Sequence, residues 1–299
     1  MFIIILAAVL VLSTHAGAFT IAQGRRSVIF RKSSAQSSPA LSDKSTSSLR
    51  CGLYMELPEW SSMPIISNTR EAEGLRMIEI EAPEIGAEYS TPGQYLKVKK
   101  GDGKPGFFAI ASPPDKRSVL QFLVKESEGS QFFTSAQIGD KLDLSAPQGK
   151  GFQIEEYFEN YRNDWAVSNV VLLAAGSGLA PIASALEYPG LGLKQTGKNT
   201  LFERRATLYL GARSKAHLPM MSKYAAWKEL GIDVIPVLSQ PDADWTGRKG
   251  YVQDALKEDG IKVPRNSGVL MCGQRGMTED CKEALLEAGV FEGRILMNF

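Results

Sequence analysis

The sequence predicts an N-terminal antiparallel β-barrel followed by an α/β domain with a doubly wound parallel sheet. The 299 residues are enough for two domains with separate cores. Short apolar runs separated by turn residues fill residues 53–158, which is typical of an antiparallel barrel or sandwich. After a polar and aromatic linker, apolar strands alternate with helical stretches over residues 165–299, which is typical of a parallel sheet with helices on both faces.

The N-terminal segment precedes this folded body and has the composition of a targeting sequence. Residues 2–12 form an unbroken apolar run, too short for a membrane span of about twenty residues but suited to the core of a signal peptide. Ala16-Gly-Ala18 supplies a small-x-small cleavage pattern, so we expect a signal peptide over residues 1–18. Residues 19–52 are rich in Ser and Arg, as in a transit peptide, and the pair resembles the bipartite presequence of algal plastids that lie inside extra membranes. We therefore expect a plastid protein, with ordinary secretion as the alternative.

Charge, cysteines and histidines disfavour several classes of function. The net charge is +1, but residues 1–50 carry six basic side chains and one acid, so the remainder sums to −4, which argues against nucleic acid as the main partner. The three cysteines are Cys51, Cys272 and Cys281, and no two of them form a CxxC pair. We therefore expect neither a disulfide framework nor a metal site. Of the two histidines, His15 falls in the presequence and His217 in a polar turn, which leaves a hydrolase without a plausible base.

The individual elements follow from local patterns. Turn residues such as Pro92-Gly93 and Gly139-Asp140 separate the short strands of the first region. The strands predicted there cover residues 75–80, 95–98, 107–111, 120–124 and 141–144. In the second region we predict strands at 170–174, 207–210, 234–238, 269–272 and 295–299, and helices at 182–187, 220–230, 252–258 and 278–288.

The most informative segment begins the second region. The apolar run from Val170 ends at Gly176-Ser-Gly178, and a helix is predicted to follow. At such a turn, backbone amides can approach a pyrophosphate at a helix N-terminus. Pro181 stands where the usual third glycine falls, and proline is tolerated in the first turn of a helix. By itself this motif is also compatible with a plain turn.

The order of the two regions and several segments resemble the ferredoxin–NADP⁺ reductase superfamily, in which a barrel holds a flavin and an α/β domain holds NAD(P)H. The likeness is closest to plant chloroplast FAD/NAD(P)-binding oxidoreductases of the kiwifruit fruit-protein type and covers about residues 58–299. The matching segments are Pro92-Gly-Gln-Tyr95, Phe107-Phe-Ala-Ile-Ala-Ser112, the Gly176 turn, Val237-Leu-Ser-Gln-Pro-Asp242 with Trp245, Gly250-Tyr-Val-Gln253, Cys272-Gly-Gln-Arg-Gly-Met277 and the Asn298-Phe299 terminus.

The resemblance implies that the barrel binds FAD. Phe108 takes the position of the tyrosine that stacks on the flavin ring, Ala109 that of a serine and Gly106 that of a phosphate-binding arginine. Phosphate contacts would then come from Lys125 and the Gly129-Ser130 turn. Without the resemblance, ordinary core is the favoured interpretation of the two phenylalanines, and Gly149 is equally compatible with a plain β-turn. The implied flavin-binding residues are Phe108, Ala109, Ile110, Ala111, Ser112, Lys125, Gly129, Ser130 and Gly149.

For the α/β domain the resemblance implies NADPH binding, with NADH as the alternative. Cys272 and Phe299 occupy the positions beside the nicotinamide and over the flavin, and they are the predicted catalytic residues. The thiol need not act as a nucleophile, because hydride transfer requires alignment and exclusion of water rather than an acid or base. Equally, Cys272 is compatible with a small buried apolar residue and Phe299 with a core residue. The implied nucleotide-binding residues are Gly176, Ser177, Gly178, Pro181, Arg213, Ser239, Lys249, Tyr251, Gln253, Gly273 and Met277.

Nucleotide preference is only partly encoded. The second α/β strand ends at Arg213 rather than at the acid that binds a ribose 2′-hydroxyl, and Arg213, Arg248 and Lys249 could meet a 2′-phosphate. Against NADPH, Gln240 stands where NADP-specific members of the superfamily carry an arginine.

The predicted function is a flavin-dependent NAD(P)H oxidoreductase that passes electrons to a separate acceptor, either ferredoxin or a small quinone or flavin. Lys97, Lys99, Lys100 and Lys104 either steer an acidic carrier or form a solvated hairpin. The alternatives are a flavin or quinone reductase with small diffusible acceptors, and a catalytically inactive nucleotide- or protein-binding module of the same fold.

Overall fold

The computed structural model describes residues 58–159, 166–193 and 204–298, all within one compact unit. The predictions of a signal peptide and a transit segment in residues 1–52 lie outside these residues. Within the described ranges, no helix has both the length and the apolar character needed to cross a membrane.

The first lobe is built around a six-stranded antiparallel sheet. The two edges of this sheet come together as a barrel. The chain continues past the fourth strand to Ala111, whose amide donates a hydrogen bond to Gln121 O at 2.7 Å on the fifth. The elements are β1 (Ser61–Ala72), β2 (Leu75–Glu81), α1 (Pro83–Glu88), β3 (Tyr95–Lys99), β4 (Gly106–Ala109), β5 (Val119–Lys125), α2 (Gln131–Thr134) and β6 (Lys141–Leu144). Their order across the sheet is β4-β3-β6-β1-β2-β5.

Alternation along the strands fills this barrel. In β3, Leu96 and Val98 are fully buried in its core, whereas Tyr95 and Lys97 lie on the opposite face. The predicted strands are confirmed, but the longest strand, β1, was not predicted. Its alternation is interrupted by Pro64 and by register shifts between Ile65 and Ser67 and near Ala72, so it shows no regular period of two.

The second lobe is a six-stranded parallel sheet with helices on its faces. The elements are α3 (Ile154–Glu159), β7 (Asn169–Ala175), α4 (Leu179–Leu186), β8 (Arg205–Ala212), α5 (Tyr224–Glu229), β9 (Ile232–Leu238), β10 (Arg248–Lys249), α6 (Val252–Asp259), β11 (Ser267–Cys272), α7 (Arg275–Glu287) and β12 (Ile295–Met297). The strand order is β10-β9-β8-β7-β11-β12, so successive strands extend from β7 first in one direction and then in the other. The predicted doubly wound sheet is therefore confirmed, and its topological switch point lies between β7 and β11.

One hydrophobic core extends from the parallel sheet to the barrel. All residues of α4 are buried, and all of them except Ser184 are apolar. Leu75 and Leu123 from the barrel belong to the same core cluster as Leu172 and Ile182. The shared core fixes the carboxyl ends of the parallel strands against the barrel.

A buried hydrogen bond crosses this junction. The hydroxyl oxygens of Tyr89 in the barrel and Ser184 in α4 are 2.6 Å apart, and both residues are completely buried. Burial is the main cause of the raised pKa of Tyr89, so its phenol stays neutral and needs a hydrogen-bond partner.

We expect Ser184→Ala to lower the free energy of unfolding by about 1–3 kcal/mol, because the Tyr89 hydroxyl is then buried without a partner. Urea denaturation measures the change. The double variant Tyr89→Phe/Ser184→Ala, which removes both hydroxyls, should lose less stability than Ser184→Ala alone. Equal urea midpoints for Ser184→Ala and the wild type would contradict the prediction.

Candidate active site

A cavity of about 1380 Å³ lies where the two lobes meet. It exceeds the range of roughly 300–1,000 Å³ that is usual for one small ligand, so it has room for more than one extended cofactor. Fifteen of the residues predicted from the sequence line it: Phe108, Ala109, Lys125, Ser130, Gly176, Ser177, Gly178, Pro181, Arg213, Ser239, Tyr251, Gln253, Cys272, Gly273 and Met277.

The turn after β7 forms the wall of the cavity at the switch point. Gly176 has φ +55°, which favours glycine, and no atom lies within 4 Å of where its Cβ would stand, so the backbone is open to a ligand. At Gly178 the reason for glycine is different: a Cβ would collide with the carbonyl oxygen of Cys272. The first turn of α4, which contains Pro181, follows directly.

Cys272 ends β11 beside this turn and lines the cavity. Burial raises the pKa of its thiol to about 11, so it is protonated at neutral pH. A neutral thiol is a poor nucleophile, and Cys272 can therefore border a reacting ring without attacking it. At the next residue, Gly273, a Cβ would require the end of the Met277 side chain to move.

Two adjacent phenylalanines stand differently on the barrel side of the cavity. Phe108 packs edge-on against Phe133, with ring centroids 4.9 Å apart, and only part of it reaches the cavity. Phe107 points to the other face of the strand, where its ring is 65% exposed and lies 5.8 Å from that of Tyr95. A Cβ at Gly106 would come within 2.7 Å of the Phe108 ring, so a larger residue at this position does not fit with this placement of Phe108.

Several residues predicted to bind flavin lie off the cavity wall. Ile110, Ala111 and Ser112 are buried, and the Ser112 hydroxyl accepts a hydrogen bond from Gln121 N (3.2 Å). A Cβ at Gly149 would meet the ring of Tyr95 at 2.9 Å, so this glycine supports a lining residue.

Part of the predicted phosphate-binding turn is held by hydrogen bonds within the turn itself. The Ser130 hydroxyl closes the turn through Lys125 O and through the Ser127 hydroxyl (2.9 Å), and Gly129 does not line the cavity. The roles of all these residues in flavin binding stay predictions, and the assignment of Phe299 lies outside the described residues.

The nucleotide end of the cavity is formed by the carboxyl ends of β8 and β9. Gln240 N donates to Arg213 O (2.7 Å) and Ser239 N to Ala212 O (3.0 Å), which holds the two strand ends together. Arg213 and Tyr251 are exposed and line the cavity.

Two basic residues near this end lie off the cavity wall. The Arg248 guanidinium is engaged by Glu258 (2.5 Å) and Asp259, which accounts for its place away from the cavity, although the sequence made it a candidate for a 2′-phosphate. Lys249 lies outside the wall as well, so of the three cations only Arg213 faces the cavity.

Two polar residues that were not predicted as site residues, Glu73 and His217, also line the cavity. His217 Nδ1 is 2.9 Å from Ser214 Oγ and 3.9 Å from Glu73 Oε2. Both contacts use the same ring nitrogen, whereas a hydrolytic triad needs the nucleophile and the orienting acid on different nitrogens of the histidine. The geometry therefore gives no Ser-His-acid relay.

Tyr95, Phe107 and Asn298 are among the residues of the wall that were not predicted from the sequence as site residues. The alternation of Tyr95-Leu-Lys-Val98 was sufficient to place Tyr95 outside the barrel core. No sequence signal distinguished the exposed Phe107 from its neighbour.

The fold and the cavity define a two-lobed oxidoreductase in which a barrel and a dinucleotide-binding sheet share one site. A family model described as the oxidoreductase NAD-binding domain matches residues 172–283. The fruit protein pKIWI502 from Actinidia deliciosa is 30% identical over 256 residues, which cover 80% of this chain and 76% of that protein. The reductase component DmpP of phenol 2-monooxygenase from Pseudomonas sp. (strain CF600) is 27% identical. The alignment covers 69% of this chain but only 56% of DmpP.

Solved structures share the fold. A ferredoxin NADP⁺ reductase from Neisseria gonorrhoeae, solved with bound FAD and NADP, superposes with a TM-score of 0.66 at 21% identity, over 81% of this chain and 98% of that one. The cytochrome P450 reductase GcoB from Amycolatopsis gives a TM-score of 0.64 at 22% identity, over 80% of this chain and 69% of that one. The chain belongs to the ferredoxin–NADP⁺ reductase superfamily. The predicted class, a FAD-dependent NAD(P)H oxidoreductase, is thereby confirmed.

The residues present fit both cofactors. The barrel contributes the apolar Leu75, Ala109 and Leu123 to the cavity wall, which suits an aromatic ring system, and Lys125 adds a cation to the same side. The open backbone at Gly176 and the exposed Arg213 suit the phosphates of a nucleotide.

Proposed function

We propose that this chain oxidises NADPH through FAD bound in the cavity and delivers electrons to a separate acceptor. The observation that carries the proposal is the single cavity lined by both the barrel and the switch point of the parallel sheet. Bound FAD supplies the chemistry that takes a hydride from a nicotinamide and returns electrons to an acceptor.

The residues of the chain act by holding and shielding the reactants. The Gly176–Gly178 turn and the end of β11 border the place for the nicotinamide end of the nucleotide, and the rigid contact between Gly178 and Cys272 fixes their relative position. Ala109, Leu75 and Leu123 keep the facing wall apolar and limit access of water. The protonated Cys272 thiol provides contact without competing chemistry.

Arg213 is the residue that favours NADPH over NADH. It is exposed at the end of β8 on the cavity wall, and its backbone is held by Gln240, whereas Arg248 is engaged elsewhere. A guanidinium can bind a phosphate through two hydrogen bonds, which a ribose hydroxyl does not reproduce.

The acceptor is proposed to approach at the exposed edge of β4. Phe107 stands there 65% exposed, and Lys97 is its partner on β3. Of the four clustered lysines, Lys99 lies over the Trp60 ring (4.4 Å) and Lys100 pairs with Asp140 (3.2 Å), so fewer are available to an acidic carrier than the sequence suggested. Both ferredoxin and a small quinone or flavin fit this edge.

We also propose that residues 1–52 direct the protein to a plastid. Their composition supports this proposal, since an apolar core with a small-x-small site precedes a Ser- and Arg-rich segment. A fluorescent protein fused behind these residues should accumulate in plastids of an alga with secondary plastids; secretion of the fusion would contradict the proposal.

We expect the purified chain to bind FAD, to absorb as a flavoprotein and to be bleached by NADPH under anaerobic conditions. Absorption spectra recorded during titration with NADPH and then NADH measure this. A protein that takes up no FAD, even when FAD is added, would overturn the proposal and favour a catalytically inactive binding module.

We expect Arg213→Ala to lower the ratio of kcat/KM for NADPH to kcat/KM for NADH by about tenfold, because one charge-assisted phosphate contact contributes about 1.5–3 kcal/mol. Lys215→Ala is the matched control, since Lys215 is an exposed cation two residues away that does not line the cavity. An unchanged ratio in Arg213→Ala would contradict this assignment.

For the acceptor we expect Lys97→Glu to raise KM for ferredoxin several-fold if an acidic protein docks at this edge, with a dependence on ionic strength. Turnover of a neutral quinone by the same variant is the control and should remain unchanged. Equal KM values for ferredoxin in Lys97→Glu and the wild type, at low ionic strength, would favour the small acceptors.

A further inference from the structure

The loop formed by residues 213–220 bridges the two lobes. It follows β8 and carries Arg213 and His217 on the cavity wall. Its first residue is held to the nucleotide lobe by the hydrogen bond from Gln240 N to Arg213 O (2.7 Å). Its last residue is held by the barrel, since Met220 N donates to Glu71 Oε1 at 2.7 Å. The bridging loop is therefore anchored at both ends, to a different lobe at each.

Met220 adopts a backbone conformation that is uncommon for its residue type. Its φ of 57° and ψ of 29° lie in the left-handed region, and no other non-glycine residue in the described part of the chain has positive φ. Such a conformation persists only where the surroundings impose it. Here the side chain is 1% exposed within the shared core, and the amide is bound by the Glu71 carboxylate.

The neighbourhood of Glu71 is only partly open to water. Glu71 itself is half-buried, and the Tyr224 hydroxyl donates to Pro219 O (3.1 Å) next to Met220. A hydrogen bond to a side-chain oxygen in such surroundings is stronger than the same bond made in water.

A second contact of the bridging loop with the barrel does not depend on a side chain. Glu73 N donates to Ala216 O (2.9 Å), whereas the Glu73 side chain is 54% exposed and lies 3.9 Å from His217 Nδ1. Substitutions at Glu73 would therefore leave its backbone contact in place. Glu71 is the residue whose side chain carries the anchor.

We propose that Glu71 is a positioning residue, which fixes the bridging loop against the barrel and so holds Arg213 at the nucleotide end of the cavity. The inference rests on the proposed function for the role of Arg213. Glu71 is not part of the cavity wall and would act only through the loop. The barrel would thus contribute to nucleotide binding by a residue that never touches the nucleotide.

Three substitutions at Glu71 distinguish the contribution of its charge from that of the hydrogen bond to Met220 N. Glu71→Gln keeps an oxygen acceptor of the same reach and removes the charge. Glu71→Asp keeps the charge and shortens the side chain by one methylene, so the acceptor no longer reaches Met220 N. Glu71→Leu removes both. Glu88→Leu, at the exposed end of α1, is the control for a surface glutamate.

The first measurement is trypsin cleavage of the purified flavoprotein under native conditions, because Lys215 is an exposed cleavage site in the middle of the bridging loop. We expect cleavage at Lys215 to be about tenfold faster in Glu71→Leu and Glu71→Asp, which corresponds to the loss of one hydrogen bond. The rates in Glu71→Gln and Glu88→Leu should stay within about twofold of the wild type. Equal rates in all variants would overturn the proposal. If Glu71→Leu does not fold, the cleavage rates of Glu71→Asp and Glu71→Gln decide the test.

The second measurement is steady-state kinetics with NADPH. We expect KM for NADPH to rise about tenfold in Glu71→Leu and Glu71→Asp, whereas kcat stays within about twofold of the wild type and the flavin content is unchanged. Glu71→Gln should have the KM of the wild type. A loss of kcat or flavin in proportion to KM would indicate a merely structural role and overturn the proposal. Failure of NADPH to reduce the wild type would count against the proposed function alone, since the cleavage rates report on the loop without any nucleotide.

Discussion

The close approach of the β7 turn to the end of β11 is the constraint on which the rest of the site depends. Gly178 lies so near the carbonyl oxygen of Cys272 that any larger residue would displace one strand end from the other. The contact sits at the topological switch point, where parallel strands leave a crevice at their carboxyl ends. A packed backbone contact resists deformation, so the nucleotide wall keeps its shape.

The barrel completes the site because the two lobes share a core. The fully buried helix α4 lies behind the switch-point turn and is bound to the barrel through Leu123 and the Tyr89–Ser184 hydrogen bond. Hydride transfer needs two rings held in register, and small displacements of either are costly. An apolar junction with one satisfied polar pair meets that requirement. The bridging loop, held by Glu71, adds a polar junction at the nucleotide end.

The aromatic side chains of β4 shape this side of the barrel. The Phe108 ring occupies the space that a Cβ at Gly106 would need, so glycine fits this position. Phe108 in turn packs on Phe133. Phe107 lies beside Tyr95, so aromatic contacts are made by both phenylalanines of the strand.

The sequence alone determined the two-lobe architecture, most of the parallel strands and the cavity-lining Gly176, Gly178 and Gly273, because buried parallel strands and strand-to-helix turns depend on local patterns of apolar and small residues. It did not determine β1, whose bulges and Pro64 hide its period, nor the outward direction of Phe107. Tertiary structure alone decided that Arg248 forms ion pairs with Glu258 and Asp259. It also decided that the Glu71 carboxylate accepts a hydrogen bond from Met220 N, 149 residues away. Such pairings depend on which chain segments the fold brings together, and no local pattern encodes them.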